Sequence, residues 1–175
     1  MVFILMIMKK ILMSKIGFTF IFLLFAKVVC YAQKIEENKI DEFSGHQFLT
    51  TSWERLGSNL TNVVLFRFRY ENEIKYFDLV YKNGVEDVIG EGMLIQFKTA
   101  DGIHSLKNSK FSIVTNSGNT DILKCIGDMY FFNNSVISKI RIHFESGYDD
   151  YEIKSDKRMA IIGNSYKLFE SNIAK

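Results

Sequence analysis

The residues of this chain equipped for chemistry are three histidines, two cysteines and one dense acidic run. His46, His104 and His143 lie far apart in sequence. None stands at His-x-His or His-Glu-x-x-His spacing, which would put two imidazoles on one side of a metal. Surface or turn positions are therefore expected for all three, and no metal or organic cofactor is expected. A triad of one histidine with some serine and aspartate can be drawn on many chains, but no Gly-x-Ser-x-Gly elbow supports one here. Asp149-Asp150 beside Glu152 does not follow the register of an EF-hand calcium loop. On a strand, Asp150 and Glu152 share a face, which reads as a solvated edge that discourages aggregation. Gly90-Glu-Gly92 lacks the third glycine and the strand-to-helix setting of a dinucleotide loop, and predicts a turn or bulge. Cys125 sits in the apolar run Ile122–Ile126. It reads as a buried small hydrophobe, because a nucleophilic thiolate needs a base and a basic microenvironment beside it. No catalytic, cofactor-binding or metal residue is assigned.

Aromatic side chains are the remaining functional resource, at 14% of the chain. Phe66, Phe68, Phe77, Phe97, Phe111 and Phe144 alternate with polar neighbours, and most of them are expected in the core. Trp53, Tyr76, Tyr148 and Tyr151 join an apolar body to a polar tip, which suits an interface, and they are the candidate partner-binding residues.

These side chains need strands to hold them, and period-2 alternation runs through the chain from Asn62 onward. Val64, Phe66, Phe68 and Tyr70 fall on one face of the first run, with Leu65, Arg67 and Arg69 on the other. Ile74–Lys82 alternates likewise, and Tyr70–Ile74 is short enough for a hairpin loop. Asn83-Gly84 predicts a two-residue turn into Val85–Ile89. Met93–Lys98, Ile103–Leu106, Lys110–Thr115, Ile122–Ile126 and Val136–Phe144 follow, with Asn116–Thr120 a loop by composition. A weaker strand signal spans Tyr148–Ile153. Lys34–Phe43 and Gln47–Leu56 are ambiguous, although Phe48–Trp53 leans to strand. Near the end the period changes. Met159, Ile162, Tyr166 and Phe169 recur as one helical stripe near residues 156–171, with Ser155 or Asp156 as the cap. Gly163 counts against this helix, because glycine costs about 1 kcal/mol in a helix interior. The expected fold is mainly β: an antiparallel meander forming a curled sheet or sandwich, closed by one C-terminal amphipathic helix.

Residues 1–32 are expected to lie outside that fold. Lys9, Lys10 and Lys15 precede the apolar run Ile16–Ala26, and Cys30-Tyr31-Ala32 offers small residues at positions −3 and −1 before Gln33. That is the grammar of a cleaved signal peptide. The apolar run is too short to span a bilayer, which needs about 20 residues. The apolar stretch Met1–Ile7 ahead of the lysines suggests that Met8 or Met13 is the true start. A lipoprotein anchored through Cys30 is disfavoured by Lys27, where a lipobox usually carries leucine. Removing this segment takes away four lysines and no acid, so 22 basic and 20 acidic residues become 18 and 20. A nucleic-acid partner would need a basic excess that this balance lacks. It leaves Cys125 as the single cysteine of residues 33–175, where an intramolecular disulfide is then impossible. These 143 residues suffice for one domain living on its apolar core.

Lys39-Ile-Asp-Glu-Phe-Ser-Gly45, Thr50-Thr-Ser-Trp53, Ile137–Ile142, Gly147–Ile153 and the amphipathic ending together resemble small exported β-rich proteins of Gram-negative bacteria. That group carries no established activity, so the resemblance implies location and fold and transfers no functional residue. The function expected is noncatalytic binding of a protein or glycan in the periplasm or outside the cell, inhibitor- or immunity-like in its specific form. No transmembrane anchor is expected after cleavage. The rival is a small secreted hydrolase whose site is assembled from distant residues.

Overall fold

A computed structural model describes residues 33–57, 63–82, 87–114 and 121–174. The expected signal segment (residues 1–32), the expected Asn83-Gly84 turn and the expected Asn116–Thr120 loop lie outside these residues. Strands make up half of the structure and helices 16%, all strand pairs being antiparallel. The described residues form twelve strands: β1 (Ile35–Ile40), β2 (Gln47–Thr51), β3 (Glu54–Arg55), β4 (Val63–Glu71), β5 (Ile74–Lys82), β6 (Asp87–Ile89), β7 (Leu94–Lys98), β8 (Ile103–Asn108), β9 (Ser112–Val114), β10 (Leu123–Ile126), β11 (Lys139–Phe144) and β12 (Gly147–Glu152). One 3-10 turn, η1 (Tyr130–Asn133), precedes β11, and the chain ends in α1 (Asp156–Met159) and α2 (Ile161–Asn172). Among these residues, no helix is long and apolar enough to cross a membrane.

Hairpin chemistry sets the register of the central pair. Asn72 and Glu73 form a two-residue loop with φ of 51° and 63°, closed by Glu71 opposite Ile74. Left-handed backbone is tolerated by Asn but costs other L-residues about 1–2 kcal/mol. Glycine at the second position would relieve that strain at an unfolded-state entropy cost of about 0.5–1 kcal/mol. Glu73→Gly is accordingly expected to raise the unfolding free energy by about 0.5–1 kcal/mol, read by urea denaturation.

The main sheet runs β1-β2-β4-β5-β10-β8-β7-β11-β12, with β3 also paired to β4. This order departs from a plain meander on both sides of the β7–β8 hairpin, β10 joining it beside β8 and β11 beside β7. The strand after β5 does not fold back on it; β6 pairs with β9 in a separate ribbon, and β10 returns to fill the gap between β5 and β8. The Asn-Gly signal therefore leads out of the main sheet. The alternating pattern marks a strand but carries no information about which neighbour it meets.

One face of the sheet is the core. Val64, Phe66 and Phe68 meet Tyr81, Leu79 and Phe77 in register, and Leu123, Cys125, Leu106, Ile95, Phe97, Ile140 and Ile142 continue the buried layer across the sheet. The sheet curls strongly around this side without closing. Four strands separate β5 from β12, yet the Tyr81 hydroxyl donates to Asp149 and the Tyr81 and Phe144 rings are 6.2 Å apart. The concave side is filled by α2 and η1. Ile162, Tyr166 and Phe169 are buried and Met159 is partly so, as the helical stripe predicts. Phe132 of η1 lies at the centre, 5.3 Å from Phe77 and 5.1 Å from Phe97 between ring centroids. Of the six phenylalanines expected to be mostly core, Phe111 is the exception, being 57% exposed just before β9.

Two details of the helix differ from the sequence pattern. Ser155 occupies the N-cap in extended backbone but its side chain makes no capping bond; its carbonyl instead accepts from the N–H groups of Arg158 and Met159. Gly163 has a packing role. A Cβ there would stand 2.9 Å from the Phe132 carbonyl oxygen, so its absence lets the helix lie directly on η1. Alanine would add about 1 kcal/mol of helix propensity, but overpacking against backbone costs about 1–3 kcal/mol. Gly163→Ala is expected to lower the melting temperature, whereas an increase would show that η1 yields easily.

Candidate binding face

The opposite, convex face of the sheet is open to solvent and holds three of the four candidate aromatics, each laid on an arginine. Register explains the first cluster. On β4 and β5, Arg67 faces Asp78 and Arg69 faces Tyr76, which places all four side chains in one square on the convex side. Trp53 joins them because the chain breaks between β2 and β3, both of which pair with β4. The Arg67 guanidinium lies 4.6 Å from the Trp53 ring centroid, and that of Arg69 lies 4.0 Å from Tyr76. Both arginines close on Asp78. Arg67 Nε donates to Oδ2 at 3.1 Å, and Arg69 donates through Nε to Oδ2 at 2.9 Å and through Nη2 to Oδ1 at 3.1 Å. Arg69 also pairs with Glu71. Although it sits on the solvent face, Asp78 is only 1% exposed beneath this cover. Burial works against the charge of Arg69, but Asp78, Glu71 and Tyr76 together outweigh it and hold the guanidinium pKa above its ordinary value.

The second cluster stands at the far edge. Arg141 and Asp150 are opposite each other on β11 and β12, joined by Nε to Oδ1 at 2.6 Å and Nη2 to Oδ2 at 2.9 Å. The guanidinium lies 4.0 Å from the Tyr148 ring centroid. Lys139 reaches Asp150 and Glu152, each at 3.3 Å. The edge carboxylates are thus ion-paired as well as solvated. The Arg141 hydrogen bonds, followed by those of Lys139, pull the Asp150 carboxyl down to about 2. A carboxyl depressed from about 3.9 adds stability above that pH and loses it as pH falls towards 2. Arg141→Gln is expected to return the Asp150 titration, followed by NMR, towards the ordinary carboxylate range and to move acid unfolding to higher pH. An unmoved titration would show that Lys139 suffices.

Tyr148 is the exposed member of the four, at 61%, whereas Trp53 and Tyr76 are half-buried by their stacking. Tyr151 is not with them. It opposes Ile140 on the concave side, half-buried against the core, and burial raises its phenol pKa. The arginines that organise the face, Arg67, Arg69 and Arg141, are not among the residues singled out from sequence. Their signal is present as cations at alternate positions, Arg67/Arg69 and Lys139/Arg141, on otherwise apolar strands.

The histidines do not gather. His104 points to the concave side, stacked 4.4 Å from Phe131, while the ring of His143 on the convex side meets Gln96 Oε1 at 2.9 Å; His46 ends the exposed β1–β2 connection. Among the described residues, no three His, Cys, Asp or Glu side chains converge as metal ligands. Cys125 is fully buried, and burial pushes its thiol well above the ordinary range, consistent with a packing residue rather than a nucleophile.

The fold and this face define a class: an open, curled antiparallel sheet, sealed on its concave side by a C-terminal helix and bearing arginine–aromatic stacks on its convex side. No family model, curated protein or solved structure matches the chain.

Proposed function

We propose that the protein is an exported, noncatalytic binding domain whose contact surface is the convex sheet face. The observation that carries this reading is the set of three arginine–aromatic stacks, Trp53/Arg67, Tyr76/Arg69 and Tyr148/Arg141. Arginine and aromatic residues dominate binding energetics because they offer large, rigid, amphipathic area. Here carboxylates fix the guanidiniums from below, so little side-chain entropy remains to be lost on contact. Export is supported by the basic-then-apolar start and the small residues at Cys30 and Ala32.

A photo-crosslinking amino acid placed at Tyr148 in the native host should give a discrete adduct. The same group at Lys167, exposed on the helix side, should give none. Equal adducts from both positions, or none from Tyr148, would remove the sheet face from consideration. Mass spectrometry of the same material should find an N-terminus at or near Gln33; soluble protein retaining residues 9–32 would sink the export reading.

A further inference from the structure

Between β5 and β12 the convex face is one-signed. Strands β7, β8, β10 and β11 present Lys98, Lys107, Lys124, Lys139 and Arg141 on that side and no carboxylate; the acids come from flanking β5 and β12. This contrasts with residues 33–175 as a whole, where acids outnumber bases by 20 to 18. Lys98 and Lys139 are directly opposite each other, a like-charge cross-strand pair that destabilises a sheet. Lys139 is compensated by Asp150 and Glu152, but Lys98 has no acidic partner among the described residues. A cavity of about 200 Å³ opens at this spot, lined by Gln96, Lys98, Ile103, Lys139 and Arg141, with Ile103 67% exposed.

Resting on the reading of this face as the contact surface, we infer that the cavity seats a glutamate or aspartate side chain from an acidic protein partner. An ammonium has three donors and a guanidinium five. Lys139 spends two on its carboxylates and Arg141 two on Asp150, so both keep donors beside the uncompensated Lys98. A carboxylate on a short methylene stem matches this lining, with its oxygens towards the cations and its stem against Ile103. A uronate-bearing glycan matches it less well. Its hydroxyls need acceptors as well as donors, and the one side-chain acceptor of this lining, Gln96 Oε1, is already held by His143. The surrounding lysines favour a partner carrying further acids, whose approach they would accelerate and orient.

The test titrates the full protein with a Glu-rich hexapeptide, its Gln-rich counterpart and a galacturonate oligomer, at low and high salt. Saturable binding of the Glu peptide is expected, weakened by salt and absent for the Gln peptide. Lys98→Glu should weaken it about tenfold, whereas Lys167→Ala leaves it unchanged. Lys98 is exposed, so an unchanged melting temperature would certify the fold of the variant. Binding of the Glu peptide indifferent to Lys98→Glu would overturn the assignment, as would equal binding of the Gln peptide or tighter binding of the galacturonate oligomer. If Tyr148 still forms its adduct in those cases, the contact face stands and only the acidic anchor falls.

Discussion

Asp78→Ala is expected to destabilise the protein by about 3–5 kcal/mol, the cost of leaving a buried charge without its partner. The Arg69 side chain is 4% exposed and that of Asp78 1%, so neither charge can be rescued by water without opening the face. Glu71 is the remaining partner of Arg69, but it is 41% exposed and takes only one corner of the guanidinium. The urea midpoint should fall with the slope of the transition unchanged. The combined replacement Arg67→Leu, Arg69→Met, Asp78→Leu should recover much of the loss, because well-packed apolar groups often replace a buried ion cluster at little cost. A loss below about 1 kcal/mol for Asp78→Ala would show that Arg69 relaxes outward and that the cluster is not rigid. That outcome would also weaken the case for a preorganised contact face.

Phe169→Ala should act on the other side of the sheet with comparable force. Its ring is fully buried and stacks on Phe68 at 5.5 Å, and Phe68 in turn contacts Phe66, Phe77, Phe132 and Tyr166. Truncating a buried phenylalanine to alanine costs about 3–5 kcal/mol. At about 2–4 °C per kcal/mol for chains of this size, the melting temperature should drop by roughly 10 °C. A near-neutral result would make the helix an appendage and leave the concave layer to hold itself together. The two substitutions probe independent layers, so their effects should add when combined.

Local pattern alone is enough to read the strands from β4 onward, the inward faces of β4, β5 and β11, and the helical stripe from Met159 to Phe169, whereas the segments that form β1 to β3 stay ambiguous. These follow from periods of 2 and 3.6, which each segment carries within itself. The same logic placed Cys125 and five of six phenylalanines in the core. The excursion of β6 and β9 and the insertion of β10 beside β5 were not legible, since pairing partners are chosen by packing across long sequence separations. Phe132 carries no sequence signal because η1 is too short to show a period, and the value of Gly163 depends on the Phe132 carbonyl that stands where its side chain would be.

For the candidate site the division is similar. Residue type singled out Trp53, Tyr76 and Tyr148 as amphipathic surfaces. Only tertiary structure could show that each rests on an arginine held by a carboxylate from a neighbouring strand, and that Tyr151 turns to the opposite side. A single strand reveals which residues share a face. Which charges meet across that face depends on register and strand order, because those alone bring Asp78 beneath Arg67 and Arg69 and set Lys98 against Lys139.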